Sequence, residues 1–332
     1  MNPQKSSPKL LISAVVLMLA IAVCIAAAAA REGRNRAPLD DIAFAQTSQT
    51  PATEDGESAA LRAQSLNRRG SELCEAGRYK EARPLLVEAL ALGEETFGPG
   101  SLEVATVLNH LGMLGKYDGH FDEAEAAYRR ALEITEKTAG LDSTLAATLF
   151  HNLGGLEHAR GRFAEGEPYA RRSVEIRERL LGPNSPEAAA DVAALAALVD
   201  GQGRYDEAEQ LYRRALDVFD RVYGSENYEV AVNLNNLAAL YHATGRAAEA
   251  EQLYLRALQI KEKLLGERHP DVGSTLNNLA VFYKSQRKFA ESARLYRRAL
   301  AVFEGTLDPS HPKITTCREN YERLLRESRG KL

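Results

Sequence analysis

The chain has 332 residues, of which 45% are hydrophobic and 27% charged, and its formal net charge is −4. That balance is ordinary for a folded globular chain and excludes a strongly basic nucleic-acid binder. Three cysteines, Cys24, Cys74 and Cys317, give neither a disulfide framework nor a paired-cysteine metal site.

The first element in chain order is apolar. Lys5 and Lys9 precede Leu10–Ala30, a run without a single charge, and Arg31, Glu32, Arg34 and Arg36 follow. Such a run is long enough to span a bilayer as a helix, and its basic, apolar, small-residue order is also that of a secretory signal. Residues 1–36 are therefore read as a cleaved signal or a retained anchor, with both alternatives open. Residues 37–60 are rich in Ser, Thr, Gln, Ala and acids, with Pro38 and Pro51, and read as a flexible linker.

From residue 61 the chain repeats. Gly77, Gly119, Gly161, Gly203 and Gly245 are evenly spaced, one to each repeat, and the sixth slot holds Arg287. Gly98, Gly140, Gly182, Gly224 and Gly266 form a second series with the same period, ending in Asp308. Glycine after an apolar-periodic segment ends a helix, because it enters the left-handed region cheaply. Each unit therefore reads as helix A, tight turn, helix B, loop. The units fall near 61–98, 103–140, 145–182, 187–224, 229–266 and 271–308, and a lone helix A near 313–328 reads as a cap. Acidic residues open helix B, as in Arg204-Tyr205-Asp206-Glu207-Ala208-Glu209, where the helix dipole favours them. Pro186, Pro270 and Pro312 share one column at the start of helix A.

Three columns are small in every unit. One runs from Gly70 and Gly112 to Ala280 in helix A; the others run from Ala82 to Ser292 and from Ala89 to Ala299 in helix B. Small residues let helices approach, and Tyr212, Tyr254 and Tyr296 fill the space between turns. The third unit departs from this pattern, with Gly166 and Pro168 in helix B and Ala170 in the tyrosine slot. Looser packing is expected there.

The small-residue order, the "LNNLA" and "GRYDEAEQLYRRAL" stretches, and the "LLGERHPD" loop resemble the tetratricopeptide repeat (TPR) over about residues 61–328. The length of the unit, longer than the usual one, is similar to that of kinesin light chains and their bacterial relatives. The resemblance implies an all-α, right-handed superhelix, an α-solenoid of about six helix-turn-helix units with a C-terminal capping helix, behind an N-terminal hydrophobic helix. No unit buries its apolar face alone, so units must stack.

In helix A of the fifth unit, Leu234, Leu237, Ala238 and Tyr241 form one stripe at about 100° per residue. Asn235 lies to one side of it and Asn236 to the other. The Asn236 column, with Asn152, Asn278 and Asn320, reads as structural, bonding between helices, as do the turn glycines Gly77, Gly119, Gly161, Gly203 and Gly245. The Asn235 column holds Asn67, Asn109, His151, Ala193 and Asn277. The resemblance implies that this face lines a concave groove, where amides hold the backbone of an extended peptide. One turn along lie Lys116, His158, Asp200, His242 and Lys284. The expected peptide-groove residues are thus Asn109, His151, Asn235, Asn277, Lys116, His158, His242 and Lys284. The arginine pairs Arg129–Arg130, Arg171–Arg172, Arg213–Arg214 and Arg297–Arg298 read as a solvated outer face.

No phosphate-cradling loop, zinc-binding H-E-x-x-H or nucleophile elbow occurs in the sequence. The expectation is therefore no enzyme, no catalytic residue, no cofactor, no metal and no nucleic-acid partner. A protein or peptide partner is expected, with membrane contact only through residues 10–30. The alternative function is a structural scaffold in a cell-envelope assembly. The apolar N-terminus and the bacterial resemblance together suggest the cell envelope, either inner-membrane-anchored or exported to the periplasm.

Overall fold

The computed structural model describes residues 54–307, 309 and 311–328. Among them are thirteen helices and no strand. The helices come in pairs: α1 (Glu54–Glu75) with α2 (Tyr79–Phe97), α3 (Leu102–Asp118) with α4 (Phe121–Thr138), and α5 (Thr144–Ala159) with α6 (Phe163–Leu181). Next come α7 (Pro186–Gly201) with α8 (Tyr205–Tyr223), α9 (Tyr228–Ala243) with α10 (Ala247–Leu265), and α11 (Pro270–Ser285) with α12 (Phe289–Thr306). A single helix, α13 (Pro312–Glu327), follows. The first helix begins at Glu54, inside the stretch expected to be linker. Leu10–Ala30 lies outside the described residues; among those described, no helix is long and apolar enough to cross a membrane.

Two compact units divide inside α5. One holds α1 to α4 and α5 up to Leu153; the other runs from Gly154 through α13. Both are built alike. Within each, consecutive helices pack on one another, and the first helices of successive pairs also touch, as α1 does α3 and α9 does α11. This is the all-α helix-pair stacking of an α-solenoid.

The turns explain the period. Gly77, Gly119, Gly161, Gly203 and Gly245 all have positive φ, between 73° and 86°. Arg287 holds the same conformation, φ 60°, although its side chain makes it costly there. The loop ahead of each first helix ends in an N-cap that recurs with the same period. Ser101, Ser185, Asn227, His269 and His311 accept from backbone N–H groups of the first turn, and Ser143 accepts from Ala146 N. The histidines of the two His-Pro loops are therefore helix caps.

In the core the small columns do what their size allows. Ala82, Ala124, Ala208 and Ala250 are fully buried, as are Tyr128, Tyr212, Tyr254 and Tyr296. At Gly166 the third pair is closely packed, in contrast to the looser packing expected of it. A Cβ on Gly166 would stand 2.6 Å from Leu198 Cδ2 and 3.0 Å from Gly154 O. The glycine lets α6 approach α5 and leaves room for Leu198 of α7. Pro84 and Pro168 lie inside their helices, beyond the first turn.

Candidate functional site

The face of the first helices that carries the twin asparagines is an amide ladder. Asn152 Nδ2 donates to Asn109 Oδ1 at 2.8 Å, and Asn278 Nδ2 donates to Asn235 Oδ1 at 3.4 Å; each bond spans 43 residues. At the first junction, His110 Nδ1 stands 2.7 Å from Asn67 Oδ1, with the same separation along the chain. The two columns, expected to act separately, are thus joined. In both amide–amide rungs, the second-column amide of one pair bonds the first-column amide of the pair before it. Asn235 and Asn236 are also bonded to each other, Nδ2 to Oδ1 at 3.4 Å. Helical periodicity assigns each amide a side of the helix but does not reveal the rung. Its signal is an offset one position longer than the repeat.

The ladder breaks twice. At α7 the two positions hold Ala193 and Ala194, which have no amide. At the C-terminal end the residues are present but the bond is not. Asn277 is fully buried with neither Oδ1 nor Nδ2 hydrogen-bonded, Asn320 Nδ2 is unbonded, and so is Asn278 Oδ1. His151 is buried on the face of α5.

The column one turn along is packed rather than presented. His158 is buried, its ring 5.1 Å from that of Phe163. His242 meets Phe282 edge-on at 5.3 Å, and burial holds its imidazole below the usual range. Lys116 lies over the ring of its neighbour Tyr117 at 4.8 Å. Lys284 forms an ion pair with Glu327 of α13 at 2.8 Å. Asp200 is 1% exposed with no hydrogen bond on Oδ1, and burial pushes its carboxyl up to about 7. Expectation and structure differ here because a repeat period fixes the column a residue occupies but not how closely the next pair covers it.

The second helices carry a clasp that sequence reading missed. Glu167, Glu209 and Glu251 take the basic residue that opens the following second helix, Arg204, Arg246 and Lys288, at 2.7 to 3.1 Å. Tyr241 and Tyr283 donate to the same Glu209 and Glu251, and Arg246 stacks 3.6 Å over the Tyr241 ring. Part of the arginine face also joins pairs. Arg130 reaches Glu94 at 2.5 Å, Arg298 reaches Glu262 at 2.6 Å, and Arg214 pairs with Glu178. Apart from the Arg246–Tyr241 stack, which lies within one pair, each of these contacts bonds one helix pair to the preceding one.

The family profile described as Tetratricopeptide repeat matches residues 61–137, 145–221, 190–263 and 229–305. Among solved structures, BtubC (BKLC) from P. vanneervenii is similar at 23% identity and TM-score 0.47, over 77% of this chain and 92% of that one. A Podosopora anserina chain described as a kinesin light chain with nearly identical TPR-like repeats is 23% identical at TM-score 0.45, over 60% and 94%. A Rap protein complexed with Competence and Sporulation Factor has the same fold, at 13% identity and TM-score 0.57 over 82% and 87%. No curated protein matches the sequence. With the profile matched over more than half of its length, the chain belongs to the tetratricopeptide-repeat family.

Proposed function

We propose that this chain is a protein-interaction scaffold that holds an extended segment of a partner protein along the amide face of its first helices. Tetratricopeptide-repeat proteins are in general scaffolds rather than enzymes. The observation that carries the finer reading is the unspent hydrogen-bonding capacity at α11 and α13: both amide atoms of Asn277, with Asn278 Oδ1 and Asn320 Nδ2. A buried amide without partners costs roughly 1–3 kcal/mol. These atoms are covered in the free chain, so a peptide group supplying both donor and acceptor recovers that cost by parting α11 and α13. The solved Rap protein supports the reading by fold alone, since it was crystallised with a bound factor.

A peptide array probed with the full chain tests it. Peptides that bind the unsubstituted chain should bind Asn277→Ala/Asn278→Ala at least tenfold more weakly, while Arg129→Ala, on the outer face, keeps their binding. Equal retention by both variants would remove the amide face from the proposal. Export or anchoring through Leu10–Ala30 belongs to the same proposal. An alkaline phosphatase fusion after Leu332 should be active in cells, and a silent fusion would place the array on the other side.

A further inference from the structure

The N-caps recur once in every repeat but change chemistry along the chain. Ser101, Ser143 and Ser185 offer hydroxyls and Asn227 offers an amide oxygen. At the last two junctions the caps are imidazoles. His269 Nδ1 accepts from Asp271 N at 3.2 Å, and His311 Nδ1 accepts from Lys313 N at 3.0 Å. An imidazole accepts through Nδ1 only while that nitrogen is unprotonated. Protonation turns it into a donor facing a donor. Serine and asparagine have no such transition.

Four helices meet around His269. From α11 comes Asp271, whose Oδ2 lies 3.6 Å from His269 Nδ1 and accepts from Tyr228 Oη of α9 at 2.8 Å. From α10 comes buried Lys261, which donates to Thr275 Oγ1 at 3.2 Å. From α13 comes Lys313. Asp271 favours the protonated ring, while Lys313 and Lys261 oppose it. With His269 neutral, two ammonium groups face one carboxylate; with it charged, three cations do. Burial is the largest influence and holds the His269 imidazole below its ordinary range, with the two lysines acting the same way. A depressed value in the folded state means that the stabilisation is present above the unfolded value of ~6.5 and is lost as pH falls below it.

We propose that this junction is an acid-sensitive latch: protonation of His269 and His311 uncaps α11 and α13 and releases α13 from the array. Among the described residues α13 has no helix after it and packs mainly on α12, with a smaller contact to α11. Its release withdraws Glu327 from Lys284. The effect on binding at that end of the amide face rests on the function proposed above; the latch itself does not.

Hydrogen exchange of the full chain at pH 7.5 and 5.0, corrected for intrinsic rates, tests the latch. Residues 312–327 should lose about tenfold or more in protection at pH 5.0, while residues 102–118, capped by Ser101, keep theirs. His269→Asn/His311→Asn carries the cap used at position 227 and should hold 312–327 protected at both pH values. Undiminished protection of 312–327 in the unsubstituted chain at pH 5.0 overturns the latch, as does an equal loss in the double variant. If the double variant is already unprotected at pH 7.5, a tenfold loss confined to 312–327 in the unsubstituted chain still supports it.

Discussion

Asp200 brings a carboxylate into the interior of the helix pairs and leaves one of its oxygens without a hydrogen bond. Tyr254, whose hydroxyl is also unbonded, is held in its neutral phenol form by burial and, secondarily, by that carboxylate. Burial raises the Asp200 carboxyl from 3.8 to about 7. The folded chain therefore binds a proton here that the unfolded chain has released over that window. Stability falls as pH rises from about 4 to about 7 and then levels off. Asp200→Asn removes the titration. Its advantage over the unsubstituted chain should be small at pH 4 and roughly 2–4 kcal/mol at pH 8, read by urea unfolding. A difference that does not grow with pH would show that the carboxylate finds a partner in solution.

Between helices, glycine plays two roles that the repeat alignment alone cannot tell apart. A Cβ on Gly112 would sit 2.6 Å from Tyr128 Cδ1, in a ring that is fully buried and cannot move aside. A Cβ on Gly154 would meet nothing nearer than 3.4 Å, because Ala170 replaces the tyrosine. Gly112→Ala should therefore cost about 1–3 kcal/mol through overpacking, whereas Gly154→Ala should stabilise by up to about 1 kcal/mol through helix propensity. Thermal melts of the two variants decide it; equal shifts would mean that Tyr128 has room to turn. The pair also marks the limit of what could be read from the residues. Helix number, turn positions and the two asparagine columns follow from glycine and apolar periods, which are properties of one helix. Whether His158 is covered or Asn235 reaches Asn278 depends on the distance between neighbouring helices, and that distance is set by side chains far away in the sequence.

Across the whole array, the ends need as much explanation as the middle. On α13 the columns that hold Leu276 and Ala280 in α11 hold Arg318 and Glu322, and Arg318 is tied to Glu304 at 2.8 Å. Among the described residues no second helix packs on that face, and its charges oppose continuing the stack. Arg318→Leu/Glu322→Ala should make the chain associate more strongly with rising concentration in sedimentation equilibrium than the unsubstituted chain does. Unchanged mass at every concentration would assign the stop to another feature. Among the described residues, the rungs and clasps in between join each helix pair to the next and reach no farther. Each such joint therefore belongs to adjacent copies of one module. Excising or duplicating one whole repeat brings equivalent columns back into contact, though the chemistry of the new rung depends on which copies meet. Gene duplication can thus lengthen this chain without inventing a new joint, and its copy number is free to drift while the joint is preserved by geometry alone.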